Sequence, residues 1–228
     1  MTVDERMEQV YQQIELVRGV GDRRRAKLCI MSFVALLAGE SHTDSPDTAS
    51  AVLRRFAITI NDEMPADMRQ RLKPFAPRII GTRDQWDWAR AELLVRAWQT
   101  EILPRVRADC RAGARLPDRS MALLFGVGGC SLDTAAFEKA ASAVARLISH
   151  YAMAAKPRER QQWYWLKAID LLDRLCDIGA ETPRPSVDPE RLKDTEALLK
   201  ERTDAKPTRA WVHAALVRIR SLVPVLLD

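Results

Sequence analysis

The sequence predicts an all-α protein, an irregular orthogonal bundle of eight to nine helices around a buried central helix. Three observations predict it. Ala, Leu, Arg and Glu dominate the composition, all of them good helix formers, and only 9 of the 228 residues are Gly. Apolar residues recur at three- and four-residue spacing, and no segment alternates convincingly with period two. One run, Leu28 to Leu37, is apolar on every side, which marks a helix without a polar face and places it at the centre.

The elements follow from caps and stripes. Thr2 and Glu5 make a capping box ahead of a helix whose face carries Met7, Val10, Tyr11, Ile14 and Val17. Gly19 and Gly21 end it. Asp22 is read as the cap of the next helix, with Arg23, Arg24, Arg25 and Lys27 at its start and the central apolar run behind them. Cations there oppose the helix dipole. Gly39 ends the central helix. After the polar loop 40–44, Ser45 caps and Pro46 opens a third helix with Val52, Leu53, Phe56, Ala57 and Ile60 inward. A short helix is expected over Ala66 to Leu72, and Pro74 and Pro77 predict an extended or turned stretch.

Thr82 and Gln85 form a second capping box for a long helix with Trp86, Ala89, Leu93, Ala97, Trp98 and Ile102, ended or kinked at Pro104. Arg111 to Cys130 is irregular and holds Gly113, Gly126, Gly128 and Gly129 around the apolar run Met121 to Phe125. Ser131 caps an alanine-rich helix with Ala140, Val144, Leu147, Ile148 and Tyr151. Beyond Pro157 a further helix carries Trp163, Leu166, Ile169, Leu172, Leu175 and Cys176. Residues 181–187 read as a linker between a main helical domain, 1–180, and a C-terminal helical pair, 188–228, packed on it or loosely attached; Thr208 opens its second helix.

Composition bounds the function class. Hydrophobic residues make up 47% and charged residues 29%, which fits a globular chain rather than a disordered one. The net charge of +5, from 36 basic and 31 acidic residues, is too small to settle whether an acidic partner is bound. Cys29, Cys110, Cys130 and Cys176 make no CxxC pair and have no His at ligand spacing, so no zinc site and no cofactor are expected. The N-terminus is polar and acidic, unlike a signal peptide, and the longest apolar stretch is too short to span a bilayer. A cytoplasmic protein with free thiols and no membrane association is the expectation.

Polar density peaks between Glu40 and Arg83. Glu40, His42 and Asp44 are candidate catalytic residues, with His42 as a general base between two carboxylates. The alternative is a loop whose acids cap the following helix. Asn61, Asp62, Arg69, Arg71, Lys73 and Arg78 are the candidate partner-binding set. Arg69 to Arg78 carries four cations among apolar anchors and suits a phosphate or an acidic peptide; a proline-stiffened connection with solvated arginines is the plainer account. A third helix of about 15 residues would be ~22 Å long and would hold the 40–47 loop and Asn61-Asp62 at opposite ends. Trp163-Tyr164-Trp165 has the look of a stacking surface, but Trp163 and Leu166 fit the core stripe, leaving Tyr164 or Trp165 to face outward. Gly126 to Gly129 ahead of Ser131 is a weak anion-cradle signal.

Leu37-Ala38-Gly39-Glu40, His42, Asp44, Pro46, Asn61-Asp62, Arg69 to Pro74 and Gly81-Thr82 together resemble a set of uncharacterised bacterial proteins. The resemblance spans residues 37–82, and implies neither an activity nor a functional residue. Three functions remain: a non-enzymatic helical interaction protein, an adaptor or subunit of a bacterial multi-protein system; a nucleic-acid-binding protein using basic patches at 23–27 and 69–78; and a small enzyme built on Glu40, His42 and Asp44. The sequence leaves the oligomeric state open.

Overall fold

The computed structural model describes residues 2–111, 134–184 and 187–204. The expected glycine-rich stretch, the Ser131 cap and the last helix from Thr208 lie outside the described residues. Helix dominates, and the all-α expectation holds apart from one small sheet. Helix α1 spans Val3–Gln13 and starts on the expected capping box, with the Glu5 amide donating to Thr2 Oγ1 at 3.2 Å and the Thr2 amide to Glu5 Oε2 at 2.8 Å. It stops at Gln13, so Ile14 and Val17 lie beyond it rather than on its stripe.

The segment between α1 and the central helix departs from expectation. No helix starts at Asp22. Three two-residue strands form there instead: β1 Glu15–Leu16, β2 Gly21–Asp22 and β3 Lys27–Leu28. Strand β3 lies in the middle, parallel to β1 and antiparallel to β2. Asp22 does cap, but only a 3-10 turn over Arg23–Arg25, which Ala26 closes in the left-handed region at φ 49°. A single turn avoids extending a helix from a triple-cation first turn, where the dipole is unfavourable. Strands of two residues are too short to leave an alternating pattern, which is why periodicity did not find them.

Helix α2, Ile30–Ala38, is the expected central helix. Cys29 caps it through Sγ, which accepts from the Ser32 amide at 3.2 Å, and every residue from Ile30 to Leu37 is buried. Gly39 ends it at φ 73°.

Helix α3 spans Ala51–Glu63 and starts later than expected. Its cap is Ser50, not Ser45: Ser50 Oγ accepts from the Leu53 amide at 3.1 Å. The proline segment is not extended. It runs as helix α4, Ala66–Arg69, a 3-10 stretch Gln70–Phe75 and helix α5, Ala76–Ile79, with Pro77 in the first turn of α5, where its missing N–H costs nothing.

The expected capping box at Thr82 and Gln85 does not form. Helix α6, Asp87–Ala97, opens without a side-chain cap, and Thr82 Oγ1 donates instead to the Ile79 carbonyl at 2.7 Å. The helix continues through a π turn, Trp98–Ile102, into α7, Leu103–Arg111. Pro104 therefore neither ends it nor forces a break. The widened turn just ahead relieves the clash between the proline ring and the carbonyl four residues back. Helix α8, Thr134–Ala154, packs on α3, α6 and α9, which spans Arg158–Asp177. Helix α10, Pro189–Asp204, lies against α1 and α2. Leu192 is buried beneath it, and Arg191 donates to the Ala38 carbonyl at 2.7 Å.

Candidate functional site

Glu40, His42 and Asp44 share a loop but no hydrogen bond. The Glu40 carboxylate accepts from the Asp47 amide at 2.7 Å and the Thr48 amide at 3.1 Å, so it closes the turn that leads to α3. His42 is exposed, and its Nε2 lies 3.4 Å from the Gly21 carbonyl. The arrangement assembles no acid–base relay. Glu40 does the work expected of a capping acid, but on a turn several residues ahead of the helix.

The second polar cluster faces inward. Asn61 is fully buried, donates to the Val17 carbonyl at 2.8 Å and accepts from the Ile30 amide at 3.3 Å. Asp62 accepts from the Gly19 amide at 3.0 Å. Arg69 is buried and caps the end of α3, donating to the Asn61 carbonyl at 2.6 Å and the Met64 carbonyl at 2.7 Å. Gln70 pairs with both the amide and the carbonyl of Leu16, at 3.0 and 2.9 Å. Lys73 reaches the Tyr11 carbonyl at 2.7 Å and Arg78 the Asp177 carboxylate, also at 2.7 Å, with Asp173 as a further partner. Burial lowers the pKa of both Arg69 and Lys73. Of the four cations of this stretch, Arg71 is the exposed one.

Part of this set braces the chain that leads into α2: Asn61, Asp62 and Gln70 bond the backbone of Val17, Gly19 and Leu16, while Arg69 caps α3, Lys73 reaches the end of α1 and Arg78 pairs with α9. The two polar clusters, at opposite ends of α3, meet through that chain: His42 holds Gly21 from one side, and Asp62 and Asn61 hold Gly19 and Val17 from the other. The brace displays cations. Arg18, Arg23, Arg24, Arg25 and Lys27 are all exposed, with Val20 37% exposed among them. Arg25 is 3.4 Å from Asp22 and Lys27 is 2.9 Å from Glu15, both on the surface. Gly21 is required here. At φ 81° it already strains any other residue, and a Cβ would stand 2.2 Å from the Lys27 carbonyl oxygen. Sequence reasoning missed Arg18, which is exposed at the start of the Gly-x-Gly turn and adds its charge to that of Arg69.

A buried network, also missed, joins four segments. Arg90 is fully buried and donates to Asp84 at 2.6 and 2.8 Å, to the Thr82 carbonyl at 3.2 Å and to the Ile178 carbonyl at 2.8 Å. Asp87 accepts from Arg90 at 3.3 Å and also from Ser50 Oγ. Arg184, the middle residue of the expected linker, donates to the carbonyls of Cys176 and Ile178 and ties the chain there to the end of α9. Burial disfavours the charged form of Asp84, yet the Arg90 hydrogen bonds, the Trp86 amide and the positive field of Arg90 and Arg184 hold its carboxyl below the usual range. The polar residues of this network have no periodicity of their own, so spacing could not reveal it.

The aromatic triplet is phased one step differently from expectation. Tyr164 and Trp165 are buried, while Leu166 is 41% exposed and Trp163 half-buried. Tyr164 faces inward because its hydroxyl donates to buried Asp109 at 2.9 Å and its ring stacks on Tyr151. Trp163 lies across the Arg105 guanidinium at 5.0 Å. The triplet therefore presents no row of faces for stacking bases. Cys29 and Cys176 are buried and Cys110 is exposed, all free. Among the described residues no three His, Cys, Asp or Glu side chains gather as a metal site, and no helix is long and apolar enough to cross a membrane.

No protein-family model, curated protein or solved structure matches the chain.

Proposed function

We propose that the chain is a non-enzymatic helical interaction protein, an adaptor or subunit of a bacterial multi-protein system, whose contact surface is the cationic turn 18–27 with the adjoining 40–47 loop. One observation carries this reading: Asn61, Asp62 and Gln70 are spent inside the molecule on the backbone of residues 16–19, where the turn begins, and the turn itself holds Arg18, Arg23, Arg24 and Arg25 in solvent. A rigid cationic surface costs little ordering entropy on binding and suits an acidic protein segment, with Val20 as an apolar contact among the charges. Arg71 belongs to a different part of the surface on this reading; Asn61 and Asp62 act as supports of the turn, Arg69 acts through Asn61, and Lys73 and Arg78 tie α1 and α9 instead.

The test is charge reversal. The triple variant R23E/R24E/R25E is expected to lose the partners that the wild-type chain retains in affinity purification, whereas R55E/R146E, on the α3–α8 face, is expected to keep them. Equal capture by both variants and the wild type would sink the assignment. Exposed arginines also support nucleic-acid binding as a second reading. It predicts that the wild-type chain binds duplex DNA with an affinity that falls steeply with salt and vanishes in the triple variant. Absence of duplex binding at low salt rejects it and leaves the protein–protein reading standing.

A further inference from the structure

Helix α10 lies on α1 and α2, and the stripe it turns inward is half polar. Its buried positions are Leu192, Thr195, Glu196 and Leu199, spaced as one face of a helix. Two of the four are leucines. Glu196 is only 6% exposed, and its Oε1 has no hydrogen-bond partner among the described residues. Its other oxygen lies 3.7 Å from the Arg6 guanidinium, too far for a hydrogen bond. A carboxylate taken out of water without hydrogen bonds loses more by desolvation than a distant cation returns, so this contact weakens the docking of α10.

The support underneath has the opposite character. Helix α2 is apolar all round, and its one polar residue, Ser32, bonds back to Cys29. Any side of α2 that is uncovered is therefore apolar and needs a cover. Tyr11 of α1 meets Phe33 of α2 edge to face, with ring centroids 6.1 Å apart, which joins the two helices into one support. Few polar contacts hold α10 down. Arg191 donates to the Ala38 carbonyl at 2.7 Å. The Arg191–Asp188 and Lys193–Glu190 pairs lie within the segment itself and survive its release. Arg184 anchors the preceding chain to the end of α9, so α10 can lift without disturbing α9.

We propose that α10 is an autoinhibitory cover: it occupies in cis a helix-binding site on α1 and α2, and it gives way to a partner's amphipathic helix with large apolar residues at all four inward positions. Such a helix buries more apolar surface than α10 does and brings no carboxylate into the contact. The polar pair Thr195 and Glu196 is then the device that keeps the cover displaceable. The proposal uses no residue of the cationic turn 18–27 and stands or falls apart from it.

Two labelled synthetic peptides covering residues 188–204 test it against the full chain by fluorescence anisotropy, one of native sequence and one carrying T195L/E196L. The substituted peptide is expected to bind roughly tenfold or more tightly than the native one. The same two substitutions placed in the chain tighten its own cover, and should weaken both peptides roughly tenfold. L192D in the chain loosens the cover and should strengthen both. Hydrogen exchange supplies the second readout: the bound peptide should speed exchange of the chain's own α10 amides while those of α2 stay protected. Equal binding of the two peptides overturns the proposal, as does an affinity indifferent to T195L/E196L in the chain, or an α10 that stays protected with peptide bound. If circular dichroism shows that the L192D chain has lost its fold, α10 is part of the core rather than its cover, and the proposal falls.

Discussion

Asn61 sits at the end of an apolar stripe, where a polar residue normally marks the surface. Here it is fully buried and its side-chain amide stands in for a missing strand partner, pairing with Val17 on one side and Ile30 on the other. Leucine at this position would keep the volume but leave the Val17 carbonyl and the Ile30 amide unpaired. Each orphaned buried group costs about 1–3 kcal/mol, so Asn61→Leu is expected to lower stability by about 2–4 kcal/mol in urea unfolding, despite its greater apolarity. A loss under 1 kcal/mol would mean that the pairing contributes nothing net. Gly21→Ala acts on the same turn by another route. The left-handed φ and the close Lys27 carbonyl should together cost about 2 kcal/mol, and because the contact is with backbone no rotamer change relieves it. Sequence inspection picks out Asn61 and Arg69 as unusual but reads them as surface residues. The hydrogen bonds that bury them run to backbone groups far along the chain, and main-chain groups leave no trace in residue identity.

At the scale of elements, caps and apolar stripes were legible where a helix stands on local signals. The Thr2–Glu5 box, the central run closed by Gly39, and the inward face of α8 are of this kind. The misplacements share a cause. Ser45, Thr82 and Asp22 each have the chemistry of a helix cap, but Ser45 Oγ accepts from Arg54, Thr82 bonds Ile79 and Ser50, and Asp22 holds a single turn. A side chain that can cap is also able to satisfy any nearby backbone group, and tertiary contacts decide which one it takes. The phase of α9 shifted for a similar reason: its apolar residues cover more than one stripe, and the Tyr164–Asp109 bond selects between them. The Arg90 network joins element ends with charge, so its contribution depends on pH. The Asp84 carboxyl has a folded pKa below its unfolded one. Its stabilisation is therefore complete above the ordinary carboxylate range and is lost as pH falls through the folded value. Asp84→Asn leaves Arg90 with Asp87 as its remaining carboxylate, and is expected to cost about 2–3 kcal/mol at neutral pH. It should also flatten the fall in stability on acidification below about pH 4. Glu101, whose carboxyl is likewise held low by Arg174 and Lys167 against the cost of burial, keeps some slope in the variant. An unchanged acid profile in Asp84→Asn would remove the network from the account of acid stability.

Across the whole molecule, burial is arranged around α2 and polar support is arranged around the turn that precedes it. Helix α10 closes the far side: Arg191 reaches the end of α2, and Arg6 of α1 lies 3.7 Å from Glu196. The region after residue 187, expected as a loosely attached appendage or a pair packed on the rest, thus contributes at least one helix to the cover over the core. The central position of α2 was legible because a nine-residue helix apolar all round has nowhere else to go; the cover was not, because α10 is charged on most faces and its docking depends on a few residues such as Leu192. The two helices should open at different cost. Helix α2 is buried along its length and packs against α3, α5 and α10, so native-state hydrogen exchange is expected to give its interior amides the full unfolding free energy. Helix α10 is held by one stripe and a few surface ion pairs, so its amides should exchange through a local opening of lower free energy and weaker denaturant dependence. Truncation before Pro189 would then uncover Leu36 and Leu37 without unfolding α3, α8 and α9, leaving a less stable chain that keeps most of its helical signal in circular dichroism. If instead the amides of α2 and α10 exchange with one common free energy and one slope, the C-terminal helix belongs to the same cooperative unit as the core, and the truncated chain should not fold.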